Sequence, residues 1–186
     1  LCRFDPEGAE DEVLVTAGPV VEVPAPDPAL TVGFALVKGD RPELVVQKLT
    51  ELGIDRIAPF VAERSVVRWE PARAERNAAR LRKVARSAAM QSRRVRIPEV
   101  LDVCRLTELH DGERGCVALA QRGGRPPSLR WRTVLIGPEG GWSPDELALG
   151  APAVSLGDQV LRAETAAITA GSVLTALRSG LVHSVG

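Results

Sequence analysis

The chain alternates between short runs of apolar residues and longer segments in which apolar residues recur every three or four positions. The run 30–37 is almost wholly apolar, which is typical of a strand buried on both faces of a sheet, and 54–61, apolar apart from Asp55 and Arg56, predicts the next strand. Between them, the spacing of apolar positions predicts a helix with one apolar side, formed by Val45, Leu49 and Leu52. Asp40 can cap the start of this helix, and Gly53 can end it.

The same alternation continues to the end of the chain. Residues 71–91 predict the longest helix, because alanine and leucine form one stripe along it and arginines surround the rest. Ser143-Pro144-Asp145-Glu146 is a capping box with proline at the first helical position, so a short helix begins there. Ala163 to Arg178 predict a last helix that is apolar on most sides and therefore buried. Strands are predicted at 115–120, 133–136 and 153–156, with a glycine- and proline-rich loop over 122–130.

Strands that alternate with helices predict an α/β domain with a largely parallel sheet. Residues 1–28 differ, because two short predicted strands at 13–15 and 20–23 are followed by the proline-rich stretch 24–28. We therefore expect a domain boundary near residue 28. The remainder, 29–186, has the length of one domain.

The formal charge of the chain is zero, since 24 Lys and Arg balance 24 Asp and Glu among 186 residues. This balance excludes a globally basic nucleic-acid binder and a polyanionic disordered chain. It hides a local excess, because residues 64–96 carry eleven basic side chains, nearly all arginine, against two acidic ones. Such a segment favours a surface for RNA or another polyanion, and the alternative is a solvated helix face.

The cysteines bear on the compartment and on metal binding. Cys2, Cys104 and Cys116 are scattered and form no CxxC pair, so neither a disulfide framework nor a zinc site is expected. We expect reduced thiols in a cytoplasmic protein that holds no metal. Every apolar run is far shorter than the roughly 20 residues that span a bilayer, so no membrane partner is expected.

Two loops that follow predicted strands combine glycine with polar residues. Segment 135–143 has glycines at 137, 140 and 141, which let a ligand approach the backbone; it is neither a P-loop nor a GxGxxG turn, and a tight turn without a ligand is the alternative. Segment 155–166 places Arg162 and Glu164 directly before the apolar last helix. Because an unpaired charge there is costly, we expect these side chains to pair or to cap the helix. Ligands bind where strands end in such sheets, so the two loops predict a small-molecule site.

The two loops resemble the RsmE family of 16S ribosomal RNA uridine-N3 methyltransferases, which belongs to the SPOUT superfamily. The resemblance rests on Gly137-Pro-Glu-Gly-Gly141 and on Leu156-Gly-x-x-Val-Leu-Arg-Ala-Glu-Thr-Ala166. Blocks within 47–53, 63–65 and 82–98 agree in order, so the similarity covers residues 38–178. It implies a parallel-sheet methyltransferase domain at 29–186 with a C-terminal trefoil knot, preceded at 1–28 by the remnant of a PUA-like β-barrel and a linker.

The resemblance also implies a function. The family methylates N3 of a uridine in 16S rRNA of the small ribosomal subunit, with S-adenosylmethionine as cofactor, and works as a homodimer. Because of its position and its permanent charge, we expect Arg162 to stabilise charge on the uracil ring, and Glu164 to orient Arg162. Neither histidine is placed as a general base, since His110 is expected in a loop and His183 in the tail. The cofactor would be held by Leu119, Ala120, Gly137, Gly140, Gly141, Leu156, Gly157, Leu161 and Ala166. RNA would contact Arg64, Arg80, Arg82, Arg86 and Arg93.

Two other functions stand beside this one. A non-catalytic RNA-binding member of the same fold is the first, because Met90 and Gln159 stand where the family usually has Glu and Arg. A nucleotide-binding phosphotransfer enzyme is the second. It is disfavoured because no lysine or magnesium-binding carboxylate accompanies Gly137 to Gly141.

Overall fold

The computed structural model describes residues 22–37, 41–112 and 115–183. The strands are β1 (Thr31–Ala35), β2 (Arg56–Val61), β3 (Glu99–Val100), β4 (Cys104–Arg105), β5 (Val117–Arg125), β6 (Thr133–Ile136) and β7 (Ala153–Val154). The helices are α1 (Arg41–Leu52), α2 (Pro71–Gln91), α3 (Leu106–Gly112), α4 (Pro144–Leu147) and α5 (Ala163–Arg178). The predictions for residues 1–21 and for Asp40 as a helix cap lie outside the described residues.

The strands form one parallel sheet, which confirms the predicted α/β class with a largely parallel sheet. Their order is β3-β2-β1-β6-β5-β7, with β4 also beside β2, and each recorded strand pair is parallel. The chain first builds from β1 to β2 and β3, and β6 then pairs with the other side of β1, with Val32 opposite Val134. The strand order therefore reverses between β1 and β6. Ligands in open α/β sheets bind at the carboxyl ends of the strands beside such a switch point.

Helices cover both faces of the sheet, so its central strands β1 and β6 are buried along their whole length. On one face, α1, α2 and α5 enclose a core that includes Val32, Phe34, Leu49, Leu81 and Leu174. On the other face, α3 and the segment before α4 enclose a second core that includes Phe60, Leu106, Leu119, Leu135 and Trp142. A strand buried on both sides has little reason to alternate polar and apolar residues, which explains the unbroken apolar runs in β1 and β6.

Most predicted elements agree with the structure. The bounds of α2 and α5 coincide with the predicted ranges, and α1 ends before Gly53, whose φ of 97° suits a helix terminus. β5 is longer than predicted, because it continues to Arg125, inside the segment predicted to be a loop. The reason is tertiary: Arg125 pairs with Val154 of β7, a partner that local sequence does not reveal.

Three elements between α2 and β5 were not predicted. β3 and β4 are two residues each, too short for any periodicity, and they form because the edge of β2 offers them backbone partners. The expectation that His110 lies in a loop is wrong, since it belongs to α3. Residues 22 and 23, expected to end a strand, lie outside any strand.

The backbones of β5 and β7 approach each other closely at Gly124. Ala120 and Arg125 of β5 both pair with Val154, so the register shifts within the strand, as in a β-bulge. At Gly124, a Cβ atom would lie 2.7 Å from backbone atoms of β7. A residue with a side chain would force the two strands apart, so this close approach requires glycine.

A cluster of charges around Asp55 joins distant parts of the chain. Its Oδ2 accepts the backbone N–H of Leu30 at 2.9 Å and also contacts Nη1 of Arg178, while Nη2 of Arg94 lies 3.8 Å from Oδ1. The three charged side chains are only 13–16% exposed. Burial lowers the pKa of Arg94 from its ordinary value, Asp55 opposes this shift, and Arg178 adds to it. The carboxylate is thus the shared counterion of two poorly hydrated arginines.

We expect Asp55→Ala to lower the free energy of unfolding by about 3–5 kcal/mol, because it leaves two largely buried guanidinium groups without their anion. Glu99→Ala is the control. It removes a more exposed ion pair with Arg56, in which the Glu99 side chain is 62% exposed, and should cost at most about 1 kcal/mol. Urea denaturation of both variants measures the difference, and equal costs would contradict the role of Asp55.

Candidate functional site

A cavity of about 390 Å³ opens at the carboxyl ends of β5 and β6 and reaches the start of α5. A smaller cavity of about 150 Å³ adjoins it. The two share Ala120, Gln121, Leu161 and Ala166 as lining residues, and we call them together the glycine-loop cavity. Their size is that of small-molecule sites, roughly 300–1,000 Å³. The walls combine aliphatic side chains, one indole ring and the backbone of the loop after β6 with four polar or charged side chains, those of Gln121, Arg122, Glu139 and Gln159.

The loop after β6 is held by the carboxylate of Glu146. Its Oε2 accepts the backbone N–H of Ser143 at 2.8 Å, and the Ser143 hydroxyl accepts the N–H of Glu146 at 3.1 Å, which confirms the predicted capping box. The second oxygen, Oε1, accepts the N–H of Glu63 at 2.8 Å. Glu63 follows β2, so one buried side chain joins the loops after two different strands. This second bond was not predicted, because 83 residues separate its partners.

Trp142 forms one wall of the glycine-loop cavity. Its ring stacks on Phe60, with centroids 6.1 Å apart and planes inclined by 6°, and its Nε1–H donates to the carbonyl of Ala120 at 3.1 Å. A Cβ atom at Gly137 would lie 3.0 Å from the ring, so glycine lets the loop pass close beside it. Trp142 was not among the predicted site residues. The sequence does contain a signal that could have identified it, because a tryptophan stands between two glycines and the residue that caps α4.

The residues predicted to hold a cofactor come together around this cavity. Seven of the nine line it: Ala120, Gly137, Gly141, Leu156, Gly157, Leu161 and Ala166. Leu119 and Gly140 are not lining residues but directly adjoin lining residues in the chain. Two loops that are distant in sequence therefore form one concave site, because β6 and β7, which precede them, run parallel on either side of β5 and end at the same edge of the sheet.

The structure separates the two charged residues before the last helix. Arg162 directly precedes α5 and is exposed, and its side chain has no hydrogen-bond or ion-pair partner among the described residues. Glu164 is 13% exposed and pairs with Arg41 at 3.4 Å, while its Oε2 is buried without a hydrogen-bond partner. The expected pairing of Arg162 with Glu164, and the alternative that Arg162 caps the helix, are both wrong. The start of α1 supplies the partner of Glu164 instead.

Two of the arginines predicted to bind RNA lie at the carboxyl edge of the sheet. Arg64 donates from Nη1 to the carbonyl of Gly140 at 3.1 Å, so it rests on the glycine-bearing loop. Arg80 pairs with Glu43 at 3.0 Å, and its side chain remains 67% exposed. Arg64 therefore lies beside the glycine-loop cavity, and Arg80 lies beside α1.

The other three arginines are placed differently. Arg82 donates to the carbonyl of Val100 at 3.1 Å and pairs with Asp102 at 2.9 Å, so it lies on the β3 side of α2. Arg86 is exposed on α2, and Arg93 follows the helix with a φ of 55°. The five predicted arginines therefore have different neighbours in the structure, and their contact with RNA stays a prediction.

The remaining candidate groups offer little chemistry. Burial raises the pKa of the Cys104 thiol to about 11, the nearby Glu108 adds to this shift, and a backbone hydrogen bond opposes it, so the thiol stays protonated at neutral pH. Gln159 lines the smaller cavity, and Met90 is 69% exposed on the last turn of α2.

The described residues contain no group of three or more metal-ligating side chains. None of the described helices is long and apolar enough to cross a membrane.

A parallel sheet with glycine-bearing loops around a cavity at its carboxyl edge defines an α/β cofactor-binding domain. Residues 24–175 match the RNA methyltransferase domain. A relative in Mycobacterium tuberculosis, ribosomal RNA small subunit methyltransferase E, is 41% identical over 181 residues, covering 84% of this chain and 66% of the relative. The protein of that name in Bacillus subtilis is 31% identical over 164 residues, which cover 77% of this chain and 64% of that relative. The chain therefore belongs to the RNA methyltransferase family, in its RsmE branch, and spans about two thirds of the length of these relatives.

Solved structures agree with this assignment. Ribosomal RNA small subunit methyltransferase E from Neisseria gonorrhoeae, bound to S-adenosylmethionine, is 32% identical with a TM-score of 0.69, covering 80% of this chain and 66% of its own. A methyltransferase from Legionella pneumophila, also in complex with S-adenosylmethionine, is 33% identical with a TM-score of 0.70. The similarity covers 80% of this chain and 66% of that one. The SpoU methyltransferase AviRb from Streptomyces viridochromogenes shares the fold at 17% identity and a TM-score of 0.53, covering 90% of this chain and 68% of its own.

We expect Gly137→Ala to displace the Trp142 ring, because the added methyl group would lie 3.0 Å from it. The displacement should lower the free energy of unfolding by about 1–3 kcal/mol, as overpacking does, and shift the tryptophan emission spectrum. Gly112→Ala is the matched control, since a Cβ there meets no atom within 4 Å. If the two variants unfold at the same urea concentration, the tight contact with Trp142 is not a constraint.

Proposed function

We propose that the chain is the catalytic part of an S-adenosylmethionine-dependent methyltransferase that modifies N3 of a uridine in 16S rRNA of the small ribosomal subunit. The observation that carries the proposal is the glycine-loop cavity, which seven of the nine residues assigned to the cofactor line. The names of the relatives support the substrate, and the S-adenosylmethionine in two related structures supports the cofactor.

The cavity suits the parts of S-adenosylmethionine. Leu161, Ala166 and the Trp142 ring offer apolar surfaces for a flat purine, and the backbone after β6 offers N–H and C=O groups to its polar edge. When bound, S-adenosylmethionine supplies an electrophilic methyl group on a sulfonium centre. The loops of this chain would hold and orient that group, and Glu146 keeps the loop after β6 in place through its two backbone bonds.

Arg162 is the proposed catalytic residue. N3 of uracil carries a proton, so methylation there places negative charge on the ring as the proton leaves. Arg162 lies at the rim of the cavity, between the lining residues Leu161 and Ala163, and its side chain is exposed. An arginine keeps its charge throughout the physiological pH range, so it can stabilise the ring oxygens in the transition state.

Glu164 acts as a positioning residue in this proposal. Its carboxylate pairs with Arg41 at 3.4 Å and so joins the start of α5 to the start of α1. Arg162 is the residue from which α5 begins, so the pair fixes the backbone that carries it. This replaces the direct contact with Arg162 that was expected from the sequence.

We also propose the trefoil knot and the homodimer. The knot is supported by the close approach of Gly124 to the backbone of β7, beside the register shift in β5. The dimer is supported by α5, whose apolar residues Ile168, Val173 and Leu177 remain partly exposed. A cytoplasmic location follows from a ribosomal substrate. The β-barrel remnant at 1–28 stays a prediction.

One observation favours the non-catalytic alternative. Gln159, which stands where the family usually has an arginine, lines the smaller part of the glycine-loop cavity. A member that binds cofactor and RNA without transferring the methyl group would fit this change.

We expect Arg162→Ala to reduce methyl transfer by at least about 100-fold while S-adenosylmethionine affinity stays within a few-fold, because the charge is used mainly in the transition state. Arg130→Ala is the control, since Arg130 is exposed in the loop after β5. Transfer of a labelled methyl group to unmodified small subunits measures the rate, and calorimetry measures cofactor affinity. Unchanged turnover in Arg162→Ala would refute the role, and cofactor binding without transfer by the unaltered chain would establish the non-catalytic alternative.

A further inference from the structure

A second cavity of about 370 Å³ lies at the carboxyl ends of β1 and β2, between the start of α1 and the first half of α2. Its lining differs in chemistry from the glycine-loop cavity, because it includes Arg68, Trp69, Arg73, Asn77 and Arg80. We call it the basic pocket. The two cavities share no lining residue.

The charges of the basic pocket are only partly compensated. Glu43 also lines the pocket: its Oε1 pairs with Arg80 at 3.0 Å and its Oε2 is buried without a hydrogen-bond partner, so one carboxylate faces three arginines. Arg68 donates to the backbone carbonyl of Glu63 at 3.3 Å, which leaves its charge in place. The Arg73 side chain has no hydrogen-bond or ion-pair partner in the part of the chain that the structure describes. Among the described residues, no carboxylate neutralises Arg68 or Arg73, so the pocket offers two positive charges to an anion. Guanidinium groups match the geometry of phosphate oxygens.

Trp69 adds an aromatic surface to the same pocket. Its ring is half-buried and packs against the core beneath α1 and α2, so its orientation is fixed by the fold. Asn77 lies on α2 one turn after Arg73 and contributes an amide that can both donate and accept. Phosphate-binding arginines beside a fixed aromatic ring are the combination with which proteins hold single nucleotides of an unpaired strand.

The segment after β2 links the basic pocket to the glycine-loop cavity. Arg64 donates to the carbonyl of Gly140, and the N–H of Glu63 donates to Glu146, so this segment rests on the loop after β6. Four residues further along, the same segment supplies Arg68 and Trp69 to the basic pocket. The two sites thus lie on one edge of the sheet, on either side of the switch point between β1 and β6.

We infer that the basic pocket binds one nucleotide of the RNA strand that flanks the methyl acceptor, with its phosphate on Arg68 and Arg73 and its base against Trp69. This inference rests on the proposed function, which makes RNA the substrate. The nucleotide is a flanking one because the pocket shares no lining residue with the cavity assigned to the methyl donor. The pocket would hold the strand in register while the acceptor base enters the other site.

Binding of a labelled single-stranded uridine 10-mer at fixed salt tests the inference. Arg68→Ala and Arg73→Ala should each weaken binding by about tenfold, because each removes a charge-assisted contact to phosphate. Arg76→Ala is the matched control: it lies on the same helix, removes the same charge and does not line the pocket, so it should change affinity less than about threefold. Equal weakening by all three variants would overturn the inference in favour of a diffuse basic surface.

A second measurement separates base stacking from charge. The unaltered chain should prefer the uridine 10-mer over an abasic strand of equal length by about tenfold, and Trp69→Leu should remove that preference. A preserved preference in Trp69→Leu would overturn the assignment of the base to this ring. If Trp69→Leu does not fold, as judged by circular dichroism, the arginine variants decide.

Two further outcomes would also overturn the inference. The first is that the unaltered chain does not bind the 10-mer. The second is that uridine 5′-monophosphate binds as tightly as the 10-mer, which would identify a site for free nucleotides. Calorimetry with S-adenosylmethionine and methyl transfer to small subunits are measured separately on the unaltered chain. If the unaltered chain binds the 10-mer but shows neither cofactor binding nor methyl transfer, the result counts against the proposed function. If it transfers the methyl group but Arg68→Ala and Arg73→Ala leave binding of the 10-mer unchanged, the result counts against the pocket alone.

Discussion

The carboxylate of Glu146 connects the parts of the molecule that any ligand would meet. It is 8% exposed, and each of its oxygens accepts one backbone N–H, from Ser143 in its own loop and from Glu63 after β2. Charged acceptors that receive backbone donors in a poorly hydrated place form strong, directional bonds. The loop after β6 and the segment after β2 are therefore positioned by the same group. The glycine-loop cavity and the basic pocket depend on these two segments.

The parallel sheet explains why two sites of different chemistry can lie side by side. Its carboxyl ends all meet at one edge, and the order of strands reverses between β1 and β6. On one side of this switch point, aliphatic residues and a tryptophan line a cavity suited to an organic cofactor. On the other side, arginines line a pocket suited to phosphate. A reaction between a small molecule and a polyanion needs both environments close together, and the topology supplies them without a second domain.

Local sequence predicted those features that depend on neighbours in the chain. The bounds of α2 and α5 and the capping box at Ser143 follow from spacing and turn residues. The clustering of Gly137 with Leu161 and Ala166, which lie in two separate loops, is the exception, since it was predicted from family motifs. Features that depend on distant partners were missed. Glu164 pairs with Arg41 across more than a hundred residues, and β3 forms beside β2 from only two residues. Periodicity cannot reveal a contact whose other half lies elsewhere.

The cluster around Asp55 has a consequence for synthesis on the ribosome. Asp55 lies at the start of β2, and the arginine that contacts it most closely, Arg178, follows 123 residues later at the end of α5. A nascent chain that has exposed the first strands still lacks this cation, so the carboxylate cannot be buried with its full set of partners. Contacts of such long range delay the final packing of a domain. The contact between Asp55 and Arg178 can therefore form only after translation has delivered the last helix.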